Sequence, residues 1–431
     1  MHTSHLAFLC RAGFERDLCD ELLAWFAAHG GAAEVASSQA SVVRVRGAAG
    51  VPPLPDLVYA RDVLIVHAEL PTLGVKDRVT PLAEALQPLR PFSSLTLLAP
   101  DSDDTRPLAP LLGALDARLQ ALTGAEGESA AVWMLSGTHA LVGRAPAGGG
   151  AAFVGGIPRL KFPREAPSRS TLKLEEAFHV LLTPRERERL LRSGGSAVDL
   201  GAAPGGWTFQ LVQRGIKVTA IDNGRMDQRL MDSGRVQHLR EDGFRYRPAK
   251  TVDWLVCDMV EKPDRVAELV VRWFREGLCR AAIFNLKLPM KRRFEAWQRA
   301  RESLTPLLRQ GYALRARQLY HDREEITVAV VPTAAVTSTP APRPARTERA
   351  PIAGSPRTAP RGDSLPARTG RGETPRAAPA TTGKAARQTG RTKPSPAARA
   401  PKGQTARPGK PAKGPVAGRS NRPGSRPARS R

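Results

Sequence analysis

The sequence predicts an α/β protein, with an open and mostly parallel sheet over residues 151–333, an α+β region before it and a disordered basic tail after it. Two patterns predict the sheet. Short apolar runs alternate with amphipathic helical stretches, and the first run, SAVDLG, opens directly into the loop AAPGGW. A third observation predicts the tail. Residues 334–431 are rich in Ala, Pro, Arg, Gly, Thr and Ser and contain no Phe, Tyr, Trp, Cys or Met, so too little apolar surface is available to offset the entropy of ordering.

In chain order, HLAFLC alternates into a first strand, and RDLCDELLAWFAAHG is an amphipathic helix stopped by Gly30 and Gly31. SVVRVRG and VLIVHAEL are strand-like, PLAPLLGALDARLQALTG is helical, and VWMLSGTHALVG reads as one further strand. This mixture makes one or two small α+β units. No cluster in it looks catalytic, so it is assigned to binding. The stretch APAGGGAAFVGG, residues 145–156, marks the boundary. Beyond it come the strand SAVDLG, the helix TFQLVQRG ended by Gly215, and the strands KVTAID and VDWLVCD. The helix AELVVRWFREG, the strand AAIFNLKL and the long helix FEAWQRARESLTPLLRQG follow. Helices between successive strands imply right-handed crossovers and parallel pairing. EEITVAVV follows the last helix and is expected as an antiparallel edge strand.

The net charge of +25 is unevenly placed. Residues 334–431 carry 22 Lys+Arg against 3 Asp+Glu, whereas residues 1–333 carry 44 against 38. Such a tail favours a polyanion, with nucleic acid the usual one, and a solubilising appendage is the alternative reading. The four cysteines, Cys10, Cys19, Cys257 and Cys279, lack zinc-ligand spacing, and no metal is expected. The N-terminus reads as a strand, not a signal peptide, and no window approaches the ~20 apolar residues of a membrane span. A soluble cytoplasmic protein without a membrane partner is therefore expected.

The loop after SAVDLG raises a question of ligand. In open parallel sheets ligands bind beyond the carboxyl ends of the strands, where strand order reverses. Gly201, Gly205 and Gly206 stand there, and glycine lets a backbone turn sharply or be approached closely. A dinucleotide site would want G-x-G-x-x-G. Here Pro204 lacks an N–H, and Asp199 would repel a diphosphate. Asp199 suits a cation instead, and S-adenosyl-L-methionine is a sulfonium and an ammonium without phosphate. Asp222, ending KVTAID, is placed to accept from both ribose hydroxyls, and Asp242 to accept from the adenine amino group. Asp199 or Asp222 taken alone is better read as a helix cap or turn former. The ordered set favours cofactor binding.

The run GGIPRLKFPREAPSRSTLKLEEAFHV, then VDLGAAPGGWT, LVCDMVEKP, FNLKLPMK and YHDREEITV, resembles the bacterial large-subunit ribosomal RNA ribose 2′-O-methyltransferase M family. That family lies within the heat-shock-type 2′-O-methyltransferases that carry a Lys-Asp-Lys-Glu tetrad. The resemblance is densest over 155–330. It implies a class I, Rossmann-like methyltransferase domain at 151–333, a ferredoxin-like subdomain at 1–60 and a THUMP-like RNA-binding domain at 61–150. It further implies a single cytidine of 23S ribosomal RNA, near the peptidyl-transferase centre, as the target; a monomer is expected. The basic tail, 334–431, is not part of the pattern.

Carried over, the tetrad falls on Lys173, Asp258, Lys287 and Glu325. The cofactor residues are Ser170, Asp199, Gly201, Ala203, Pro204, Gly205, Gly206, Asp222, Asp242 and Asp258. A ribose 2′-hydroxyl must lose its proton as it attacks the sulfonium methyl, and Lys287 is the expected base. Its amine form requires burial and a second cation nearby, which Lys173 supplies while Asp258 and Glu325 orient the pair. Lys173 is also readable as a solvated helix lysine paired with Glu175 or Glu176. Glu324 adjoins Glu325, and a one-residue slip of register would exchange them. Base methylation fits less well. The chain has CDMVEKP where a [DN]-P-P-[FY] motif would stand, and Cys257 faces away from Asp258 by strand alternation. Arg159, Lys161, Arg164 and Arg169 before Lys173, with Lys291, Arg292 and Arg293 after Lys287, suit phosphate contacts. A non-catalytic RNA-binding or ribosome-assembly protein with a vestigial cofactor fold is the competing reading.

Overall fold

The front region forms β1 (His5–Leu9), α1 (Glu15–Ala28), β2 (Glu34–Gln39), β3 (Val42–Arg46), β4 (Asp62–Leu70), α2 (Val79–Leu86), β5 (Phe92–Leu98), α3 (Ala109–Leu119), β6 (Glu128–Met134) and β7 (Ala140–Arg144). These come from a computed structural model that describes residues 5–39, 41–48, 50–147 and 150–333; the tail expected to be disordered lies outside the described residues. The seven strands make one sheet in the order β2-β3-β1-β4-β7-β6-β5, so the stretches before and after residue 60 share it. VWMLSGTHALVG is not one strand. It folds as an antiparallel hairpin, with Met134 paired to Ala140 and the Leu135 N–H donating to the His139 carbonyl at 2.8 Å. The polar tip Ser136-Gly137-Thr138 reverses the chain between two apolar halves that periodicity alone cannot separate.

After α4 (Thr171–Leu181) and α5 (Pro184–Leu190), the second half runs through β8 (Ser196–Leu200), α6 (Gly206–Gln213), β9 (Lys217–Ile221), α7 (Gln228–Asp232), β10 (Val236–Leu239) and β11 (Val252–Cys257). It closes with α8 (Pro263–Arg275), β12 (Cys279–Lys287), α9 (Arg293–Arg309), β13 (Tyr312–Arg317) and β14 (Glu325–Pro332). The sheet order is β10-β9-β8-β11-β12-β14-β13. The first five strands in that order are parallel, and β14 runs antiparallel to both neighbours. EEITVAVV is thus antiparallel, as expected, but it is an interior strand. The edge is β13, a half-buried strand whose arginines hid it from an apolar-run search.

Both faces of this sheet are covered, which is why its strands read as continuous apolar runs. Trp254 and Val256 pack with Phe178 of α4 and Trp207 and Leu211 of α6. The alternate residues Leu255 and Cys257 pack on the other face with Trp273 of α8 and Trp297 of α9. Cys257 therefore lies in the opposite layer from α4. Burial in apolar surroundings pushes its thiol up to about 12.

Polar contacts tie the two halves together around the turn that precedes β14. The Gln318 N–H donates to the Val58 carbonyl (2.8 Å), and Arg317 donates to the carbonyls of Leu54 (2.8 Å) and Ala60 (2.9 Å). The buried Glu21 carboxylate accepts from the Val58 and Tyr59 amides at 2.6 and 2.9 Å. Among the described residues no helix is long and apolar enough to cross a membrane.

Candidate active site

Strand alternation puts Asn285 and Lys287 of β12 on one face, and antiparallel register sets them opposite Thr327 and Glu325 of β14. Asp258 follows β11, the parallel neighbour of β12, and Lys173 reaches the same place from α4, which packs on this face. Four side chains from four elements converge there. Lys287 Nζ donates to Asp258 Oδ1 and lies 3.8 Å from Glu325 Oε1. Lys173 Nζ donates to Glu325 Oε1 and lies 3.5 Å from Asp258 Oδ2. Their side chains are only 8–24% exposed. Burial pulls the Lys173 ammonium down, but Asp258 and Glu325 outweigh it and raise its pKa.

Other readings of these residues do not match the geometry. Glu176 is buried and accepts from the Tyr320 and His321 amides (2.8 and 2.9 Å), while Glu175 pairs with Arg214 and His179. Neither holds Lys173. Of the adjacent glutamates, Glu325 faces the cluster, and Glu324 is exposed and pairs with Arg293.

Asp199, Asp222, Asp242 and Asp258 lie at the carboxyl ends of β8, β9, β10 and β11, four adjacent strands. The chain winds outward from β8 to β10 and then crosses to β11, so strand order reverses beside Asp199. Asp199 is fully buried and accepts from the Thr208 hydroxyl (2.6 Å), while its Oδ1 has no hydrogen-bond partner. Burial raises its pKa to about 7. Asp222 accepts from the Ala203 N–H (3.0 Å) and the Gly224 N–H (2.6 Å), which leaves each oxygen a further lone pair. Asp242 is exposed and accepts from the Phe244 N–H (2.8 Å). Ser170 Oγ bonds Ser168 Oγ at 2.7 Å. A buried unpartnered carboxylate oxygen and acidic groups on four neighbouring strand ends fit a cationic group and disfavour a diphosphate.

The glycines serve the protein's own packing. A Cβ on Gly201 (φ +77°) would stand 2.9 Å from the Met259 side chain, and one on Gly205 (φ +115°) would stand 2.3 Å from Leu230. At Gly206 it would strike Ser170 Oγ. At these three positions an added Cβ would meet the chain itself. Pro204 accepts the Asp227 N–H on its carbonyl (3.0 Å).

The basic flanks divide. Arg159, Lys161, Arg164, Arg169, Lys291 and Arg292 are exposed, Arg159 lying over the Tyr320 ring at 5.5 Å. Arg293 is not available for phosphate as expected. Its side chain is 13% exposed, bonds Asp17 (3.0 Å) and Glu324, and lies 4.3 Å from the Phe14 ring centroid, which makes it a junction residue. Sequence reading also passed over Asn285, Thr327 and Asp322. Asn285 donates to Asp258 Oδ1 (3.0 Å), and Thr327 donates to Asn285 Oδ1 (2.8 Å). For Asn285 and Thr327 the available signal is a polar residue inside an apolar strand, two positions from Lys287 and Glu325, whereas Asp322 lies in the turn before β14 and carries no such signal.

Residues 166–282 match the FtsJ-like methyltransferase family. The chain is 42% identical over 354 residues to the ribosomal RNA large subunit methyltransferase M of Tolumonas auensis, covering 76% of this chain and 96% of that one. To the proteins of the same name from Alkalilimnicola ehrlichii and Stenotrophomonas maltophilia it is 47% and 45% identical, covering 76% of this chain and 94% and 97% of theirs. This chain belongs to the ribosomal RNA large subunit methyltransferase M family.

Proposed function

We propose that this protein transfers a methyl group from S-adenosyl-L-methionine to the ribose 2′-hydroxyl of one cytidine in 23S ribosomal RNA or its precursor, near the peptidyl-transferase centre. The observation that carries this reading is the convergence of Lys173, Lys287, Asp258 and Glu325 beside the acidic strand ends. S-adenosyl-L-methionine supplies, when bound, a methyl group on a positively charged sulfur. Asp199, Asp222 and Asp242, with Ser170 and the loop Gly201, Ala203, Pro204, Gly205 and Gly206, would hold it, and Asp258 would border both cofactor and substrate.

A ribose hydroxyl is a weak nucleophile at neutral pH, and a positioned base raises its reactivity by roughly 10²–10⁴-fold. Lys287, in its amine form, would accept the proton that the 2′-hydroxyl loses as it attacks the methyl group. Lys173, kept protonated by its two carboxylates, places a positive charge across the same carboxylates that Lys287 contacts. The front α+β region, as a ferredoxin-like piece with a THUMP-like module, would grip RNA. The enzyme would act as a cytoplasmic monomer. A vestigial binding protein has no reason to retain a complete tetrad.

Mapping ribose methylation on 23S ribosomal RNA from wild-type cells, deletion cells and deletion cells carrying K287A tests the reading. One methylated cytidine should vanish in the deletion strain and stay absent with K287A. Identical maps in all three would overturn it.

A further inference from the structure

We infer that Asp322 is a positioning residue held as a neutral carboxylic acid, donating its proton to Thr327 and, through Thr327 and Asn285, aiming the Asp258 carboxylate at the two lysines. The chain of contacts is continuous and dry. Asp322 Oδ2 lies 2.9 Å from Thr327 Oγ1, Thr327 Oγ1 lies 2.8 Å from Asn285 Oδ1, and Asn285 Nδ2 lies 3.0 Å from Asp258 Oδ1. Asp322, Thr327 and Asn285 are each at most 1% exposed.

Counting hydrogens along this chain decides the protonation. The Asp258 oxygens accept from Lys287 and Lys173, and Asn285 presents its amide N–H₂ to Oδ1 as a third donor. The Asn285 carbonyl oxygen then faces Thr327 and takes the one hydroxyl hydrogen Thr327 owns. Thr327 Oγ1 is left with lone pairs toward Asp322. At 2.9 Å that contact requires a proton, and only Asp322 can bring it. An ionised Asp322 would instead set two lone pairs against each other somewhere along the row.

Two further observations agree. Asp322 Oδ2 also accepts from the Leu319 N–H (3.1 Å), as a hydroxyl oxygen can, while Oδ1 is buried without a partner. A bare buried oxygen costs much less on a neutral acid than on a carboxylate. Burial, and Glu325 nearby on β14, raise the Asp322 pKa well above the usual carboxylate range, against the opposing pull of Lys173 on α4. The consequence for catalysis rests on the tetrad reading above. Two lysines face two carboxylates there, and a third buried negative charge would bind the lysine protons more tightly and weaken Lys287 as a base.

The test has two arms. Infrared spectra of the full-length protein carrying ¹³C-aspartate, taken at about pH 8.5 where Asp199 and Asp62 are mostly ionised, should show a protonated-aspartate carbonyl band. It should shift in T327V and disappear in D322N. The second arm is the pH–rate profile of methyl transfer to ribosomal RNA. D322N should leave the limb of that profile within about 0.3 pH units of wild type, because no charge is removed. T327V should lower kcat roughly tenfold with KM for RNA unchanged, and T327S should restore it. Absence of a band responsive to T327V, or a D322N limb moved toward acid by about one pH unit, would overturn the assignment. The infrared arm reads the proton even in a protein that methylates nothing. Its result is therefore separable from failure of the proposed function, and T327V keeps it decisive should D322N not fold.

Discussion

Lys287 and Glu325 are registered partners across β12 and β14, and Lys287 also donates to the one carboxylate that ends β11, Asp258. A base held this way is positioned by sheet pairing and not by a loop. Replacing it should remove chemistry and little else. K287A is expected to lower the methyl-transfer rate by about 10²–10⁴-fold. S-adenosyl-L-methionine affinity, measured by calorimetry, should stay within about twofold. K287R should be equally inactive, since a guanidinium does not deprotonate in proteins. Loss of cofactor affinity in K287A would remove Lys287 from the base role.

The two adjacent glutamates offer a paired control. E325Q removes a carboxylate that contacts both lysines and should reduce single-turnover transfer at least tenfold. E324Q breaks only an exposed pair with Arg293 and should leave the rate near wild type. The opposite ranking would mean that β14 is shifted by one residue in the functional enzyme.

Asp199 predicts opposite pH trends for stability and affinity. Its folded pKa of about 7 lies above its ordinary 3.8, so the folded protein holds its proton longer than the unfolded chain does. Stability from this group is complete below pH ~4 and is lost as pH rises through about 7. D199N escapes that loss. Its advantage in urea unfolding should be absent at pH 4 and grow to at most about 4 kcal/mol at pH 8. Cofactor affinity of the wild type should instead rise through pH ~7, because only the ionised carboxylate attracts a cation. A pH-independent difference between the two proteins would show that Asp199 does not titrate in this range.

Arg293 should behave as a structural residue. R293A leaves the buried Asp17 without its partner and is expected to cost about 2–4 kcal/mol. RNA affinity at a temperature where the variant remains folded should be unchanged. A selective loss of RNA binding would return Arg293 to the phosphate-contacting set.

The basic tail should act through charge alone. Removing residues 334–431 takes away a net charge of +19, and the slope of log affinity against log salt should become shallower by about 0.7–0.9 per lost phosphate contact. Unchanged binding at low salt would show that the tail does not engage RNA.

Much of the site was legible because its residues sit in local contexts with few explanations. Lys287 stands at the end of an apolar strand, and Asp199, Asp222 and Asp258 each close an apolar run. Long helices such as α1, α8 and α9 carried an amphipathic period and glycine stops. Residues with ambiguous local context were the ones misread. VWMLSGTHALVG looked continuous because both arms of the hairpin are apolar. The edge strands β2, β10 and β13 are polar or short, because an edge exposed to water needs no apolar run. Arg293 looked like any surface arginine, and nothing near it in sequence announces Asp17 or Phe14.

What the order of residues dictated was the alternation of strands and helices, the glycine loop and the chemical types available at strand ends, since these follow from backbone preference and periodic burial. Pairing across the sheet settled the rest. It set Glu325 rather than Glu324 against Lys287, turned Lys173 away from its helix neighbours, and brought Asp322, Thr327 and Asn285 into one dry row. Those outcomes depend on register and on contacts between elements distant in the chain, where the cost of burying an unpaired polar atom selects one arrangement, and no local pattern encodes that cost.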